Sequence, residues 1–563
     1  MRRTSLDQGR GEPWNDTYDA GQEPRSTACM LAGGCLLYSV MRGRVRRRTG
    51  AIVLLIELGA PCIVGGADRS RVLREIQQLV EQGRLPEAEQ HLAKARKEFP
   101  QDAAFCDLLG VVKAEEGDYG GAESNFLKAI ELDPVLAGAY LNLGHLYQQN
   151  AAAHHDAPQK ALAIYGKLLR IEPGNVEARY QNALLLERSS AFKASLDHLA
   201  RLPAADQERA QALSVRCADL AGLGERQKAS AAADELLHSP DLTDADIVSI
   251  LPVLAASHQD EIEQHLLEGA VKRRLAGFDL VDALGRLYER QGKLKEARTA
   301  LENAAQLRPQ SIDTLMELAR IADKQNDRQG ALGYLAHARD LEPRNAAVHF
   351  FFGMVSVEEN LLEEAYKSLK QAVTLAPNNA DYNYALGIVA QRRADPSEAV
   401  PFFKKYCVLR PDDARGRLQL GITYFYSHQE DLAEKELRAA IEHRETAAAA
   451  HFFLGRIANQ EGKFSQALHE LQQATTVEPN YADPYAEQGI IYMKQKEYAP
   501  AAQALLRALA IDPDHYAANL NLMMLYQRTG DTRAGEQARR FEEVKKKRAE
   551  RARLSLRSIE IVR

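Results

Sequence analysis

Apolar residues recur along most of this chain at intervals of three and four positions, the spacing that places side chains on one face of an α-helix. Alternating runs of valine and isoleucine, which would indicate strands, are missing from the sequence. The stretch "LGRLYERQGKLKEARTALENAAQLRP", residues 284 to 309, joins two helical patterns across a Gln-Gly turn and stops at a proline. The pattern therefore predicts an all-α chain built from pairs of short helices.

Prolines mark a repeat of 34 residues, because most intervals between neighbouring prolines of one set equal that length or a multiple of it. That set is Pro100, Pro134, Pro173, Pro309, Pro343, Pro377, Pro411, Pro479 and Pro513. Glu445 stands where one further proline is due. The step from Pro134 to Pro173 is 39, and its five extra residues lie in "QQNAAAHHDAPQK", which we predict to be a loop between two helices.

Numbering each repeat so that its proline is position 32 aligns further residue types. Position 20 is alanine in most repeats, and position 27 is usually alanine as well. Position 8 is small, in Gly110, Gly144, Gly285, Ala319, Gly353, Gly387, Gly421, Gly455 and Gly489. Position 24 is large, in Phe126, Tyr165, Leu301, Leu369, Phe403, Leu437, Leu471 and Leu505. Small residues let two antiparallel helices approach closely, and the large residue fills the space beside them, so each repeat is predicted to be a helix hairpin.

This pattern resembles the tetratricopeptide repeat family, most closely in "YLNLGHLYQQ", "ALGRLYERQGKLKEA" and "QLGITYFYSHQEDLAEKEL". The resemblance covers roughly residues 67 to 547 and implies an α-solenoid superhelix of about 10–14 tetratricopeptide-type helix hairpins. We predict an N-terminal array over 68–275, a regular array over 276–547 and a basic C-terminal tail over 548–563. The units at 174–275 are degenerate, and Pro252 inside a predicted first helix indicates irregular hairpins there or, as the alternative, a kink or flexible joint.

The first 67 residues differ from the rest. Residues 1–40 are predicted to be a disordered or untranslated extension. Residues 41–67 have a basic start, an apolar run and a small-residue end, the layout of a signal peptide, or of a retained signal anchor if they are not cleaved. The expected location is therefore the periplasmic or extracellular side of a membrane, with the cytoplasm as the alternative if this segment is not a signal. A lipid-anchored Cys62 is a further alternative.

Charge and chemistry narrow the function. The net charge is −6, distributed as basic ends and an acidic middle, because residues 1–67 hold nine Arg against six acids and residues 533–563 hold eleven Lys and Arg against five. This gives no reason to expect nucleic acid as a partner.

Phosphate loops, nucleophile elbows and metal-binding helix motifs are absent, so we expect neither an enzyme nor a cofactor. His154, His155 and Asp156 in the insertion are predicted to be loop residues rather than metal ligands. Cys106, Cys217 and Cys407 are expected in the interior.

In the family that the sequence resembles, positions 2, 5, 9, 12 and 13 of each first helix line the concave face. From residue 346 onwards these columns, with the adjoining position 6, hold many aromatic residues, leucines, isoleucines and methionines, which predicts a solvent-facing apolar stripe for binding a partner. The predicted partner-binding residues are Phe350, Phe351, Met354, Tyr384, Ile388, Leu418, Ile422, Phe425, Phe452, Phe453, Ile490, Met493 and Met524. The alternative is that the superhelix itself covers these residues or that they belong to the core.

The predicted function is a non-enzymatic scaffold or adaptor that holds a protein or peptide segment with apolar anchors in its groove. A structural spacer or self-associating rod without a specific ligand is one alternative, and the targeting subunit of a separate enzyme is another. A membrane is expected to be involved only through a signal anchor, and the pattern predicts no particular oligomeric state. A clamp for a terminal carboxylate is not supported, because only Asn142 and Asn521 occupy the expected asparagine column.

Overall fold

The computed structural model describes residues 66–151, 154–393 and 396–560, and every regular element in these ranges is a helix. The predicted extension 1–40 and nearly all of the predicted signal segment 41–67 lie outside the described residues. By contact, the chain divides between Leu307 and Arg308 into an N-terminal and a C-terminal unit. The fold class is the α-solenoid that the repeat predicts.

The helices of the N-terminal unit follow one another along the chain from Gly66. They are α1 (Gly66–Glu81), α2 (Leu85–Glu98), α3 (Ala103–Glu115), α4 (Tyr119–Leu132), α5 (Ala137–Gln149), α6 (Ala157–Ile171), α7 (Val176–Arg188), α8 (Phe192–Leu199), α9 (Ala204–Gln207), α10 (Ala210–Gly222), α11 (Arg226–His238), α12 (Asp244–Val248), α13 (Leu251–Ala256), α14 (Asp260–Lys272), α15 (Phe278–Arg290) and α16 (Leu294–Leu307).

The C-terminal unit continues the same alternation, with a short 3-10 helix at Pro396–Ala399 before α22. Its helices are α17 (Ile312–Lys324), α18 (Arg328–Leu341), α19 (Ala346–Glu358), α20 (Leu362–Leu375), α21 (Ala380–Arg392), α22 (Val400–Leu409), α23 (Ala414–Tyr426), α24 (Glu430–Ala440), α25 (Arg444–Gln460), α26 (Phe464–Val477), α27 (Ala482–Lys494), α28 (Tyr498–Ile511), α29 (Tyr516–Thr529) and α30 (Ala534–Glu560).

Successive helices pack in pairs, and the first helix of one pair also contacts the second helix of the pair before it within each unit. Seven pairs belong to each unit, so residues 66–560 as described hold fourteen, the upper end of the predicted range. We call the members of a pair its first helix and its second helix.

Local chemistry sets the ends of these helices. The side chains of Asn345, Asn379 and Asp413 accept hydrogen bonds from backbone N–H groups at the start of α19, α21 and α23. The turns inside pairs use a left-handed residue at position 15, with φ of 73° at Gly292 and 61° at Asn326. Glycine and asparagine adopt this conformation at least cost, so the Gln-Gly turn of the repeat has a conformational reason.

The predicted contact between positions 8 and 24 is present. A Cβ added to Gly353 would lie 2.6 Å from Cγ of Leu369, and one added to Gly489 would lie 2.6 Å from Cγ of Leu505. Both leucines are fully buried. The small residue therefore sets how closely the two helices of a pair approach, as the sequence predicted.

In the degenerate region, 174–275, some helices are shorter than in the regular repeats or are interrupted. Its helix α8 is shortened, and the first helix that contains Pro252 is broken into α12 and α13. Pro252 is the second residue of α13, where a missing N–H and a fixed φ are tolerated. The irregular hairpins expected here are therefore present, and the first helix of one of them is interrupted just before Pro252.

The last helix, α30, packs on α29 through Phe541 and Val544, which are buried. The ring of Phe541 lies 5.2 Å from that of Tyr516. The boundary predicted at residue 548 does not end an element, since α30 runs through it to Glu560. Among the helices described, none has the length and apolarity needed to cross a bilayer.

The cysteines are partly as predicted. Cys106 and Cys217 are buried, and burial raises the pKa of both thiols. Cys407 is only half-buried, so the expectation of an interior position is wrong in degree for this residue.

Candidate partner-binding face

The first helices of the C-terminal unit lie side by side. Each of α19, α21, α23, α25 and α27 contacts the next first helix along the chain, the last contact being with α29. Equivalent positions of these helices therefore form one continuous surface, which we call the first-helix face.

The predicted stripe on this face is only partly open to solvent. Seven of its residues are half-buried or exposed: Phe350, Phe351, Met354, Tyr384, Ile388, Ile490 and Met524, the last with 41% of its surface exposed. Six are buried, so the expectation of a solvent-facing position is wrong for Leu418, Ile422, Phe425, Phe452, Phe453 and Met493. Whether any of the thirteen binds a partner stays a prediction.

Five of the six buried residues belong to one core cluster, whereas Met493 packs in another with Leu522 and Tyr526. Helix α25 begins at Arg444, four residues before its repeat position 1, after a short connection in which Glu445 replaces the repeat proline. Four aromatic residues from α23 and α25, together with Tyr481, then fill the space between these first helices. We call Phe425, Tyr426, Phe452, Phe453 and Tyr481 the aromatic cluster.

The rings of the aromatic cluster are in direct contact. The centroid of Phe453 lies 5.4 Å from that of Phe425 and 5.2 Å from that of Phe452, in edge-to-face arrangements. Phe452 also meets Tyr481 at 5.4 Å. Because the rings bury one another, Phe453 has no exposed surface although its column was predicted to face solvent.

The preceding part of the face, on α19 and α21, is less tightly filled. Phe350 stacks on Tyr382 with ring centroids 4.6 Å apart. The ring centroids of Tyr384 and Tyr406 lie 4.9 Å apart, and burial raises the pKa of the Tyr384 hydroxyl. All but Tyr406 are half-buried, so an apolar surface lies open to a ligand here.

In the N-terminal unit the corresponding face is polar, although much of it is buried. Asn142 Nδ2 donates to both carboxylate oxygens of Asp107 at 3.1 Å, and Gln148 Nε2 donates to Gln181 Oε1 at 2.9 Å. Burial raises the pKa of Asp107 to about 7, and the hydrogen bond from Asn142 opposes this. Asn142 is fully buried.

Two other buried carboxylates of the N-terminal unit lie in the degenerate region. Burial raises the pKa of Glu187 on α7 to about 7. It raises the pKa of Asp219 on α10 to about 8, and the nearby Glu187 carboxylate adds to that shift. Because the folded-state pKa of both carboxyl groups is raised, the stability of the N-terminal unit should fall as the pH rises toward these values.

Sequence reasoning missed three residues of the C-terminal face. Tyr382 and Tyr481 lie at positions 3 and 34, outside the columns considered, although their aromatic character was a usable signal. Arg456 is at position 9, inside the columns, and its guanidinium lies over Phe425 with Cζ 4.6 Å from the ring centroid. The predicted stripe consists only of apolar residues and therefore omits this arginine.

In the part of the chain that the structure describes, no group of three or more His, Cys, Asp or Glu side chains is arranged to hold a metal ion. His154 and His155 lie in the loop between α5 and α6, as the insertion predicted.

Comparison with known proteins identifies the repeat. Two family models described as "Tetratricopeptide repeat" match, one over residues 278–321 and the other over 73–137, 316–380, 418–464 and 459–516. A comparison with curated protein sequences finds no match.

Several solved structures are similar to this chain. One is the APC/C hetero-tetramer Cut9–Hcn1, at 14% identity and TM-score 0.35, covering 82% of this chain and 97% of that one. Yeast Tom70 has 18% identity and TM-score 0.34, covering 83% and 95%. YrrB, described as a TPR protein with an unusual peptide-binding site, has 21% identity and TM-score 0.26, covering 39% and 95%.

Proposed function

Because this chain belongs to the tetratricopeptide repeat family, we propose that it is a non-enzymatic scaffold that holds a segment of another protein on the first-helix face of its C-terminal unit. The segment lies extended or helical across α19 and α21 and continues toward Met524, with apolar side chains as its anchors.

One observation supports this proposal above the others. Phe350, Ile388 and Met524 remain half-buried or exposed on a face where neighbouring columns are filled by core residues. Covering this half-open row of aromatic and aliphatic side chains removes apolar surface from water, which is favourable by about 25 cal/mol per Å² of apolar area buried. A protein segment with apolar anchors would provide that cover.

Site-specific photo-crosslinking tests the proposal. The photoreactive residue p-benzoylphenylalanine replaces Ile388 on the first-helix face in one variant. In the matched control it replaces Val408, an exposed apolar residue of the second helix α22 with 74% of its surface accessible. We expect Ile388 to crosslink one apolar segment of a defined partner in native cells, and Val408 not to do so.

A purified partner then permits a quantitative test. Ile388→Glu places a charge on the half-buried surface and should weaken binding by tenfold or more, because burying one aliphatic anchor contributes about 1.5–3 kcal/mol. Val408→Glu should leave the affinity unchanged. Equal crosslinking from both positions, or no effect of Ile388→Glu, contradicts the proposal and favours a spacer or self-associating rod. Crosslinking to a catalytic subunit at Ile388 would specify the scaffold as a targeting subunit.

We also propose export of the chain, on the strength of residues 41–67 alone. The measurement is the N-terminal sequence of the mature protein from its native cell together with its location by fractionation. A mature protein that begins near residue 68 outside the cytoplasm supports a cleaved signal, whereas an uncleaved cytoplasmic chain contradicts export.

A further inference from the structure

Arg456 is a charged side chain that lies over the aromatic cluster and has no ionic partner among the residues that the structure describes. It lies on α25 with its guanidinium 4.6 Å from the ring centroid of Phe425, 5.7 Å from that of Phe453 and 5.8 Å from that of Phe452. The residue is half-buried, so its charge is partly removed from water. Contact with aromatic faces offsets part of that cost, because each ring presents a negative face to the cation.

Three carboxylates on α26 and α27 are engaged with other side chains. Glu487 on α27 accepts a hydrogen bond from Asn459 at 2.6 Å. Glu470 on α26 pairs with His451 at 2.7 Å, and Asp483 on α27 pairs with His515 at 3.1 Å. Within the ranges described, Arg456 itself has no carboxylate oxygen within 4 Å.

The two other arginines at position 9, and Arg290 at position 13, pair with carboxylates of the protein. Arg286 on α15 pairs with Asp282 at 2.7 Å, and Arg290 pairs with Glu263 at 2.7 Å. Arg320 on α17 pairs with Glu317 at 2.5 Å. Both other arginines at position 9 therefore have a carboxylate partner, whereas Arg456 has none among the described residues.

The half-open apolar surface continues from Ile388 on α21 to Ile490 on α27, on either side of the helices that carry the aromatic cluster. A segment that lies along this row of first helices passes over α25 and meets the guanidinium of Arg456. Guanidinium presents parallel N–H groups that match the two oxygens of a carboxylate. Charge complementarity therefore favours an acidic residue in the segment at this point.

We propose that the segment held on the C-terminal first-helix face carries an Asp or Glu side chain between its apolar anchors, and that Arg456 binds this carboxylate. The inference rests on the proposed function and adds to it the charge of the partner. Phe425, Phe452 and Phe453 hold the guanidinium in place, so its planar fork is oriented before the ligand arrives. This assigns the buried phenylalanines a positioning role in binding, distinct from that of direct anchors.

Selection from a displayed library of random 12-residue peptides against the full-length protein tests this inference. We expect enriched peptides to combine aromatic or aliphatic residues with an excess of Asp and Glu. Arg456→Met keeps an apolar side chain over the phenylalanines and should lose the acidic excess while retaining the apolar one. Arg438→Met removes one charge from the exposed surface of α24, where Arg438 pairs with Glu434, and should select as the wild type does.

A double-mutant cycle gives the decisive number. The strongest acidic peptide and its version with amides in place of carboxylates are measured against wild type and Arg456→Met by fluorescence anisotropy. We expect the amide peptide to bind wild type about tenfold more weakly or worse, as for other hydrogen-bonded charge pairs, and both peptides to bind Arg456→Met equally. Arg456→Lys keeps the charge but not the fork, and should recover only part of the difference. Circular dichroism and the unfolding midpoint confirm that each variant is folded.

The outcomes separate the two proposals. Apolar peptides without an acidic excess, or additive effects in the cycle, overturn the assignment of Arg456 and leave the groove proposal standing. Enriched peptides that bind Ile388→Glu as well as wild type, or no enrichment over an unrelated protein, overturn the groove proposal and this inference with it.

Discussion

Replacing Gly353 by alanine tests whether the small residue at position 8 is required by packing. In a helix interior, glycine to alanine normally stabilises by about 1 kcal/mol. At Gly353 the new Cβ would lie 2.6 Å from Cγ and 2.8 Å from Cδ2 of Leu369, and 3.3 Å from the carbonyl oxygen of Ala365. Carbon atoms in contact normally stay about 3.5–4.0 Å apart, so α19 and α20 must move or Leu369 must change rotamer.

The expected magnitude follows from these two effects. Overpacking by one methyl group costs about 1–3 kcal/mol. With the gain in helix propensity subtracted, Gly353→Ala should destabilise its hairpin by about 1 kcal/mol. The matched control is Gly333→Ala in α18, where a Cβ meets nothing within 4 Å, and it should stabilise by about 1 kcal/mol. The two variants should therefore differ by about 2 kcal/mol.

Hydrogen exchange followed by mass spectrometry suits this measurement, because repeat arrays open locally and do not unfold in one step. Protection in peptides from α19 and α20 should fall in Gly353→Ala, whereas peptides from α18 should gain protection in Gly333→Ala. Combining Gly353→Ala with Leu369→Ala should cost less than the sum of the single changes, since the smaller residue removes the clash. If Gly353→Ala stabilises as much as Gly333→Ala does, close approach is not the reason for glycine at position 8.

Three further predictions concern other parts of the fold. Burial raises the pKa of Asp219 to about 8 in the folded protein, against about 4 in the unfolded chain, so stability falls as the pH rises from about 4 through 8. Wild type should therefore be less stable to urea at pH 9 than at pH 6, and Asp219→Asn should reduce that difference. Phe453→Ala should lower the free energy of local opening of α25 by about 3–5 kcal/mol, whereas Met524→Ala should change that of α29 by no more than about 0.5 kcal/mol, as measured by hydrogen exchange. Equal effects would contradict the assignment of Phe453 to the core and of Met524 to the surface. Gly292→Ala should destabilise its hairpin by about 1 kcal/mol because φ at this residue is 73°, and Gly292→Asn should destabilise it less. Hydrogen exchange of α15 and α16 measures both effects, and equal losses of protection would contradict the prediction.

The hairpins themselves were predictable from sequence, and the physical reason is local. Helix bounds follow from caps such as Asn345 and from left-handed residues such as Gly292, whose requirements involve only a few neighbouring residues. The contact of Gly353 with Leu369 was predictable too, because both belong to one hairpin and recur in each regular repeat.

From the sequence, the candidate site could be predicted only as a set of repeat positions, without the burial of the residues that occupy them. Ile388 and Ile422 share position 9, yet one is half-buried and the other is buried. The difference depends on how α25 begins at Arg444 and on how the rings of neighbouring first helices meet. Such contacts join residues about 30 positions apart, and the repeat pattern of one unit carries no information on them.

The sequence by itself thus determined the period, the hairpin and the family of this protein, since each depends on interactions that repeat within 34 residues. The tertiary structure alone decided that Phe453 lies in the core, that Pro252 divides a helix and that Arg456 stands over aromatic rings without a carboxylate partner in the described chain. These features arise where adjacent repeats differ from one another, because burial and charge pairing are properties of the space between repeats.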